Sequence, residues 1–410
     1  MRSLSLHRFF ALLTLALVQL AGLAIQPALK EYQSRLPVLK KQIPAVVASA
    51  QHAAENNLQY PTALINMPYW EQVSFSEEML NRAGGLAHAF CTVARPKLAT
   101  AHDIVVLSVR SWEQDRETVL KRVKEYKAEG WTVTIIGSKA GKPADLGEDF
   151  FIDNGAPSDK ADQGRINVIA NITLGWMWCC EYAAGMSRHG KFPAVLYSVA
   201  MEGAQEYDAK IQSEQGRFTV EPCDKAIPAG QLSRLYLKRV DKLVKDCKSK
   251  KIQGQLTKAA GVVAARLQAG ETVGVAGLGH AILEEVKMEN RSPWKGFQAV
   301  GSVKTAFKTN LKPGEVLVWI AYCGMNSAYD DYGKYIAEAG ADLVTSYAPD
   351  KEWAVNAPKD LAHIEQCWAL PDAEVPIPVF PHKMAPVSGI NSCLILRMLD
   401  DEVAKRLSKK

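Results

Sequence analysis

The sequence lacks the short motifs that identify several common classes of enzyme. It contains no G-x-S-x-G nucleophile turn, no H-E-x-x-H zinc motif and no P-loop. Its eight cysteines form no C-x-x-C pair, and none is grouped with histidine at the spacing of a zinc site. These absences argue against serine hydrolases of the α/β type, zinc peptidases and P-loop NTPases. We expect no metal ion and no cofactor.

The sequence also has little excess charge of either sign. Its 49 Lys and Arg residues and 44 Asp and Glu residues leave a formal net charge of +5. A nucleic-acid surface needs a concentrated basic patch, whereas these basic residues are dispersed. The basic run Lys245–Lys251 is typical of a solvated helix face. We therefore expect no nucleic-acid partner.

The longest uncharged apolar run lies at the N-terminus. Arg2 and Arg8 precede FFALLTLALVQLAGLAI, in which Gly22 and Ala24 have the spacing that a signal peptidase accepts. Residues 1–24 therefore predict a signal peptide and an exported or periplasmic protein. Two alternatives remain open. The run could stay as a membrane anchor, because it is almost long enough to cross a bilayer, or it could be a buried helix of a cytoplasmic protein.

The rest of the chain repeats one pattern of strands and helices. Short apolar runs at Thr62–Met67 and Thr272–Ala276 are followed by stronger ones at His102–Val109 and Gly314–Tyr322. Matching segments lie about 210 residues apart, which indicates a duplication. Continuous apolar strands are typical of a parallel sheet that is covered on both faces. The sequence therefore predicts an α/β protein made of two duplicated three-layer α-β-α sandwiches with parallel sheets.

Long helical patterns and an irregular join suggest where the two copies divide. Tyr32–Glu55 and Gln231–Gln268 each read as one long helix in front of a copy. The join near Phe218–Gly230 contains two prolines and little periodicity. We predict a first domain at residues 30–215 and a second at 231–410. In such sandwiches a ligand binds at the carboxyl ends of the strands.

A glycine turn in the second copy is the best candidate for a ligand site. Gly277 and Gly279 lie between a strand pattern and a helix pattern. A dinucleotide-binding turn needs a third small residue, and Ile282 stands there instead. The two glycines can still gather backbone N–H groups into a nest for an anion. A second loop offers further groups, at Cys323, Gly324, Asn326 and Ser327. We predict that the two loops together hold a phosphate or another polar group.

Several stretches resemble SIS (sugar isomerase) domains, especially the small stand-alone bacterial SIS proteins that are predicted to bind phosphosugars. In the first copy they are EEMLNRAGGLAH, FFIDNGAPSDKAD and FPAVLYSVAMEGAQEYDAKI, and in the second they are GLGHAILEE, YCGMN and MAPVSGINSCLIL. The resemblance implies a flavodoxin-like strand order, a sugar or sugar phosphate as ligand, and pairing of the two SIS domains within one chain. It leaves open whether the chain also forms a homo-oligomer.

The sequence departs from the SIS pattern in both copies. In the first, NMPYWEQVSFS and SVRSWEQD stand where glycine loops are expected, so this copy's loops are degenerate. In the second, Leu278, Ala281 and Cys323 replace hydroxyl side chains. Each lost hydroxyl removes a hydrogen bond worth about 0.5 to 1.5 kcal/mol. These losses predict a weakened affinity or a changed ligand.

Isomerisation of an aldose to a ketose needs a base that moves a proton between adjacent carbons. The resemblance points to His280 as a catalytic residue, together with Glu284, or alternatively Glu285, one helical turn further on. It also points to Ser388, at the start of the last helix, as a substrate-binding residue. Two functions therefore remain open. One is a protein that binds a sugar or sugar phosphate and acts as an aldose–ketose isomerase. The other is an exported, catalytically inert SIS-like binding or interaction protein.

Overall fold

The computed structural model describes most of the chain after the predicted signal peptide. The described residues are 25–69, 72–80, 82–91, 99–160, 164–198, 201–213, 215–287, 297–299, 314–321, 340, 342–348, 360–378 and 383–408. Residues 1–24 lie outside this set, so the signal peptide stays a prediction. Among the helices of the described residues, none has the length and apolar composition needed to cross a membrane.

The first half contains six helices and seven strands among the described residues. The helices are α1 (Pro27–Lys41), α2 (Ile43–Gln59), α3 (Val73–Met79), α4 (Trp112–Ala128), α5 (Gly164–Ser187) and α6 (Ala204–Ile211). The strands are β1 (Ile65–Asn66), β2 (Ala89–Phe90), β3 (Ile104–Ser108), β4 (Thr132–Gly137), β5 (Phe150–Asp153), β6 (Lys191–Pro193) and β7 (Val220–Pro222).

The second half repeats this plan. Its described helices are α7 (Gln231–Cys247), α8 (Lys250–Gln268), α9 (His280–Lys287) and α10 (Ser388–Leu407). Its described strands are β8 (Val273–Leu278), β9 (Phe297–Ala299), β10 (Val316–Ala321), β11 (Asp342–Tyr347), β12 (Asp360–Glu365), β13 (Val375–Pro376) and β14 (Lys383–Met384).

Each half is built on a five-stranded parallel sheet with the same strand order. The order is β2-β1-β3-β4-β5 in the first half and β9-β8-β10-β11-β12 in the second. This is the flavodoxin-like order, in which the chain runs first to one edge and then to the other. The predicted fold class and topology are therefore confirmed. Two short antiparallel pairs, β6-β7 and β13-β14, complete the described strands.

Alternating side chains of the strands explain why helices cover both faces of the first sheet. Ile104 and Val106 of β3 belong to the apolar cluster that also holds α2 and α5. Val105 and Leu107 belong to a second cluster, with Val119 and other residues of α4. Successive side chains of a strand point to opposite faces, so a strand buried on both sides is continuously apolar.

The two long helices that the sequence suggested are each broken in the structure. The first divides at Gln42, because Pro44 lies in the first turn of α2, where its missing N–H is no loss. The second divides at Ser249, whose side chain accepts a hydrogen bond from the backbone N–H of Ile252 and caps α8. The prediction of single helices at Tyr32–Glu55 and Gln231–Gln268 was therefore wrong. The apolar periodicity continues through both breaks and does not reveal them.

The halves are packed tightly against each other. One apolar cluster contains residues of α1, α2, α3 and α5 in the first half, of α7 to α10 in the second, and of strands of both sheets. Helix α1 contacts α5 in the first half and α7 and α10 in the second. Helices α3 and α9, which follow the first strand of each sheet, also contact each other. This last contact brings the glycine turn of the second half against the first half.

Candidate functional site

The glycine turn joins β8 directly to α9. The strand ends at Leu278 and the helix begins at His280, so Gly279 alone makes the connection. Gly279 has a φ of 135°, a backbone angle that residues with a Cβ rarely adopt. Gly277 has a different role. A Cβ at this position would lie 3.1 Å from the backbone of Ile282, so glycine lets the helix pack closely on the strand.

A cleft of about 590 Å³ opens beside this turn, between the two halves. Its second-half wall contains Gly279, His280 and Asp372. Its first-half wall is formed by the end of α3, the turn at Arg82, the segment before α6 and one face of α6. The side chains of this wall that can hydrogen-bond are Glu77, Arg82, Tyr197, Ser198, Gln205, Asp208 and Gln212. The cleft therefore lies where parallel α/β folds bind ligands, at the carboxyl end of a strand.

His280 lies at the edge of the cleft as a neutral side chain. Its Nδ1 is 3.0 Å from the backbone carbonyl oxygen of Glu77. A carbonyl oxygen only accepts, so Nδ1 carries the hydrogen and Nε2 is the acceptor. Burial, together with the charge of Arg82, lowers the pKa of His280 to about 3. His280 can therefore accept a hydrogen bond from a ligand, but it is a weak base at neutral pH.

Glu284 lies in a different environment from His280. It is half-buried on α9, and among the described residues of this helix the cleft is lined by His280 and Leu283 instead. Burial raises the pKa of Tyr69, and the nearby charges of Glu77 and Glu284 raise it further. The spacing of His280 and Glu284 does not bring both side chains to the cleft wall.

A glutamate of the first half occupies the N-terminal turn of α9. Glu78 is fully buried, and its Oε2 accepts a hydrogen bond from the backbone N–H of Ala281 at 3.3 Å. The Nε atom of Arg82 lies 3.1 Å from Oε1 of Glu78. A Cβ on Gly389, the second residue of α10, would overlap this carboxylate. Glu78 therefore lies between the first turns of two helices, where the sequence predicts that a ligand's anion binds.

Ser388 is hydrogen-bonded within the protein. Its hydroxyl contacts Arg82 and Asp372, and its backbone N–H donates to Oδ1 of Asp372 at 3.3 Å. Nη2 of Arg82 lies 2.6 Å from Oδ2 of Asp372. Burial raises the pKa of Asp372 to about 6, although Arg82 and Ser388 oppose the rise. Arg82 therefore joins two buried carboxylates, Glu78 and Asp372, beside the cleft.

The equivalent glutamate of α9 makes the reciprocal contact with the first half. Glu285 is the sixth residue of α9, as Glu78 is of α3, and Ser74 and Ala281 are the second residues of these helices. The hydroxyl of Ser74 donates to Glu285, just as the N–H of Ala281 donates to Glu78. The two helices are thus antiparallel and exchange glutamates across the boundary between the halves.

Two arginines balance the buried charge of Glu285. Nη2 of Arg110 lies 2.8 Å, and Nη2 of Arg397 lies 2.5 Å, from Oε2 of Glu285. Burial alone would raise the pKa of Glu285, but Arg110 and Arg397 outweigh it, and the pKa is lowered. Glu285 is therefore an ionised anchor between α9, the first sheet and α10, not a group for catalysis.

The strand ends of the first half are filled by amide and hydroxyl side chains. The Nδ2 atom of Asn171 contacts Gln72 at 3.1 Å, Ser108 at 3.0 Å and the carbonyl of Val109 at 2.9 Å. Asn154 donates to Oδ1 of Asn171 at 2.8 Å. Most polar atoms of this network have a partner within the protein, and the buried Nε2 atom of Gln72 is an exception. Such a network explains how the degenerate loops remain stable without a ligand.

The structure brings together only part of the site that the sequence predicts. Gly279 and His280 line the cleft, whereas Gly277, Glu284 and Ser388 are not among its described lining residues. The loop residues Cys323, Gly324, Asn326 and Ser327 lie outside the described residues. The binding and catalytic roles of all these residues stay predictions. Among the described residues, no group of three His, Cys, Asp or Glu side chains could hold a metal ion.

Sequence reasoning missed most of the first-half wall of the cleft. Arg82 belongs to RAGGL, and Tyr197, Ser198, Gln205 and Asp208 belong to FPAVLYSVAMEGAQEYDAKI, both of which carry the resemblance to SIS domains. These stretches were the available signal, but they gave no roles for single residues. Nothing in the sequence around Asp372 indicated that it pairs with Arg82.

Comparison with known proteins relates the whole molecule to a group of solved structures. No family model and no curated protein matches the sequence. A protein described as a phosphosugar isomerase from Silicibacter pomeroyi aligns over 94% of this chain and 98% of its own, with a TM-score of 0.52 and 9% identity. A protein described as sugar-binding, from Salmonella typhimurium, aligns over 92% and 99%, with a TM-score of 0.53 and 10% identity.

A third structure is the C-terminal domain of glucosamine-fructose-6-phosphate aminotransferase from Francisella tularensis. It aligns over 93% of this chain and 95% of its own, with a TM-score of 0.52 and 10% identity. The chain has the tandem SIS fold. Identities near one residue in ten establish the fold alone, so the ligand of this SIS-fold chain has to be argued from its own residues.

Proposed function

We propose that the chain is a carbohydrate-binding protein whose ligand occupies the cleft beside Gly279. The observation that carries the proposal is the cleft itself, with its volume of about 590 Å³ and its wall of hydrogen-bonding side chains. A sugar presents many hydroxyl groups, each a donor and an acceptor. Carboxylates, amides and hydroxyls, such as Asp208, Gln205 and Ser198, are suited to bind them.

An aromatic pair supports a sugar as the ligand. The ring of Tyr197, which lines the cleft, stacks on the ring of Tyr207 with centroids 3.9 Å apart. Oδ1 of Asp208 accepts the backbone N–H of Tyr197 at 2.8 Å and ties this segment to α6. A fixed aromatic side chain offers an apolar surface and a hydroxyl together, which matches the mixed character of a sugar ring.

The geometry supports binding better than isomerisation. A base for aldose–ketose isomerisation works best with a pKa near the working pH. The pKa of His280 is about 3, and Glu284 is not among the described residues that line the cleft. We therefore favour a binding protein. Isomerase activity toward a bound sugar, measured by aldose–ketose interconversion, would reverse this choice.

A matched pair of variants on α6 tests the location of the site. A thermal-shift screen of neutral sugars, amino sugars and their phosphates identifies a ligand, and calorimetry then gives its affinity. Asp208→Asn should weaken binding by about tenfold, or 1.4 kcal/mol, because it replaces a charged acceptor in the cleft. Glu206→Gln removes the same charge from an exposed position of α6 and should leave affinity unchanged. Absence of any sugar ligand, or equal affinities for both variants, would contradict the proposal.

We also propose that the mature chain is exported, on the basis of residues 1–24 alone. N-terminal sequencing of the protein from its native host would test this. A mature N-terminus just after Ala24 supports export through a cleaved signal, whereas an intact Met1 in the membrane fraction supports an anchor. An intact Met1 in the cytosolic fraction would contradict both.

A further inference from the structure

Glu78 occupies the position in which a helix N-terminus would otherwise hold an anionic ligand group. Free N–H groups and the helix dipole make such a terminus attractive to anions. Here the N–H of Ala281 already donates to Glu78, and Arg82 supplies the cation. Gly389 provides the space, because any side chain there would overlap the carboxylate. The arrangement contains a helix terminus, a cation and a bound carboxyl group, but this group belongs to the chain.

The charges around the open part of the cleft also disfavour a second anion. Glu77, Asp208 and Asp372 line it with carboxyl groups, whereas Arg82 contributes the one guanidinium among the described lining residues. That guanidinium lies 2.6 Å from Asp372 and 3.1 Å from Glu78. An added phosphate would therefore come close to the carboxyl groups of Glu77, Asp208 and Asp372, and like charges brought together in a partly buried site repel.

We propose that Glu78 is a built-in substitute for a ligand phosphate, and that the cleft consequently accepts an unphosphorylated sugar, preferably an amino sugar. This inference rests on the proposed sugar-binding function for the ligand, but the role of Glu78 stands on its own contacts. An ammonium group on the ligand is favoured by the carboxylates at the cleft wall. Glu78 also has a structural role, because Glu78 and Glu285 form the reciprocal contacts between the two halves.

The first test uses the wild-type chain and two ligands that differ only in a phosphate. Titration with glucosamine and with glucosamine 6-phosphate measures both affinities under the same conditions. Phosphorylation should weaken binding by about tenfold or more, since like charges brought together in a binding site repel. Equal or tighter binding of the phosphate ester would overturn the proposal.

The second test opens the occupied position and asks whether an inorganic anion enters it. Glu78→Ala leaves Arg82, the N–H of Ala281 and the space beside Gly389, so inorganic phosphate should bind and raise the Tm of this variant. Wild type and Glu78→Gln, which retains the side-chain volume, should not respond. Glu206→Ala removes the same charge from an exposed position and is the matched control.

The outcomes of the two tests are separable. A phosphate response of Glu78→Ala alone supports the role of Glu78 even if no sugar is found, in which case only the sugar-binding proposal fails. A similar phosphate response in wild type, or its absence in a folded Glu78→Ala, overturns the role of Glu78. If Glu78→Ala does not fold, two measurements on the wild type still test the role of Glu78. A rise in Tm with phosphate, or equal or tighter binding of glucosamine 6-phosphate than of glucosamine, would overturn it.

A separate observation concerns two cysteines of the second half. Sγ of Cys247, at the end of α7, lies 3.8 Å from Sγ of Cys367, which follows β12. The buried side chain of Asn391 holds both. Its Oδ1 accepts the backbone N–H of Cys367 at 2.7 Å, and its Nδ2 donates to Sγ of Cys247 at 3.5 Å. The two thiols are thus kept in contact. Cys247 is buried, and Cys367 is partly exposed, so a reagent in solution can reach Cys367.

We infer that Cys247 and Cys367 form a disulfide when the chain meets a small-molecule disulfide such as oxidised glutathione. The thiolate of Cys367 attacks this reagent and releases one reduced glutathione, forming a mixed disulfide. The thiolate of Cys247 then displaces the second glutathione. The two thiols lose two protons and two electrons, and the reagent is reduced to two thiols.

Peptide mapping after treatment of the folded full-length chain tests this disulfide. A linked peptide containing Cys247 and Cys367 is expected, with a higher Tm for the oxidised chain because the cross-link restricts the unfolded state. Cys367→Ser should abolish both effects, whereas Cys223→Ser should not. Recovery of Cys247 and Cys367 as unlinked residues from the treated wild type would overturn the inference.

Discussion

At the scale of single residues, the two glycines of the turn do different work. Gly279 makes a connection that its positive φ permits, and Gly277 allows close packing of α9 on β8. The sequence correctly placed both between a strand and a helix. It could not separate their roles, because packing depends on the backbone of Ile282 in three dimensions.

A pair of glycine substitutions, at Gly277 and at an exposed control position, tests the close packing of α9 on β8. Gly277→Ala should lower the free energy of unfolding by about 1 to 3 kcal/mol, because the added Cβ meets the backbone of Ile282. Gly254→Ala, at an exposed position inside α8 with open space around it, should raise it by about 0.5 to 1 kcal/mol. Denaturant titration measures both. A neutral or stabilising Gly277→Ala would contradict the close packing of helix and strand.

The buried carboxyl of Glu78 predicts an unusual dependence of stability on pH. Burial raises its pKa from 4.5 to about 7. Between these values the carboxyl of Glu78 keeps a proton in the folded chain that it has lost in the unfolded chain, so its contribution to stability is highest at the acidic end of the range and falls as pH rises. The full effect is on the order of 3 kcal/mol.

Glu78→Gln removes this titration, so the unfolding free energy of the wild type minus that of Glu78→Gln should fall between pH 4.5 and pH 7. Other groups titrate in both proteins, because burial raises the pKa of Asp372 to about 6 and lowers that of His280 to about 3. Unfolding free energies from denaturant titrations across this range make the comparison. A difference that stays constant or grows with pH would contradict the assignment of a raised pKa to Glu78.

At the scale of elements, the antiparallel pair α3 and α9 explains how the site is built. Each helix follows the first strand of its sheet, and each gives its sixth residue to the other half. Sequence analysis could find both helices by their position after a strand. It could not predict the exchange of Glu78 and Glu285, because each meets a helix more than 200 residues away along the chain.

Removing one partner from the buried cluster around Glu285 tests the strength of this pairing. Glu285→Gln removes the carboxylate that Arg110 and Arg397 share and should lower the free energy of unfolding by about 3 kcal/mol or more. Lys242→Ala breaks the exposed pair of Lys242 and Asp246 and should cost less than about 1 kcal/mol. Similar small losses for both variants would show that Glu285 does not anchor the halves.

At the scale of the whole molecule, the sequence predicted the duplication but not how the two halves pack against each other. Repeated continuous apolar strands predicted two parallel sandwiches, and the sheets confirm them with the same strand order. The limits of 30–215 and 231–410 remain a prediction. Helix α1 precedes the first sheet but packs on helices of both halves, so sequence order alone does not divide the core.

The continuous core predicts that the halves unfold together. One apolar cluster runs through both, and separate melting would expose much of it to water. Circular dichroism and tryptophan fluorescence should therefore give coincident denaturant transitions for the full chain. Two resolved transitions would indicate that the halves are independent domains.

A crystal structure of the chain with bound glucosamine would show directly whether the cleft holds an unphosphorylated sugar. We expect the sugar in the cleft beside Gly279, in contact with Asp208 or Gln205, with the carboxyl group of Glu78 still on the N–H of Ala281. A sugar bound elsewhere would contradict it. So would a parallel structure with glucosamine 6-phosphate in which the phosphate has displaced Glu78 from Ala281.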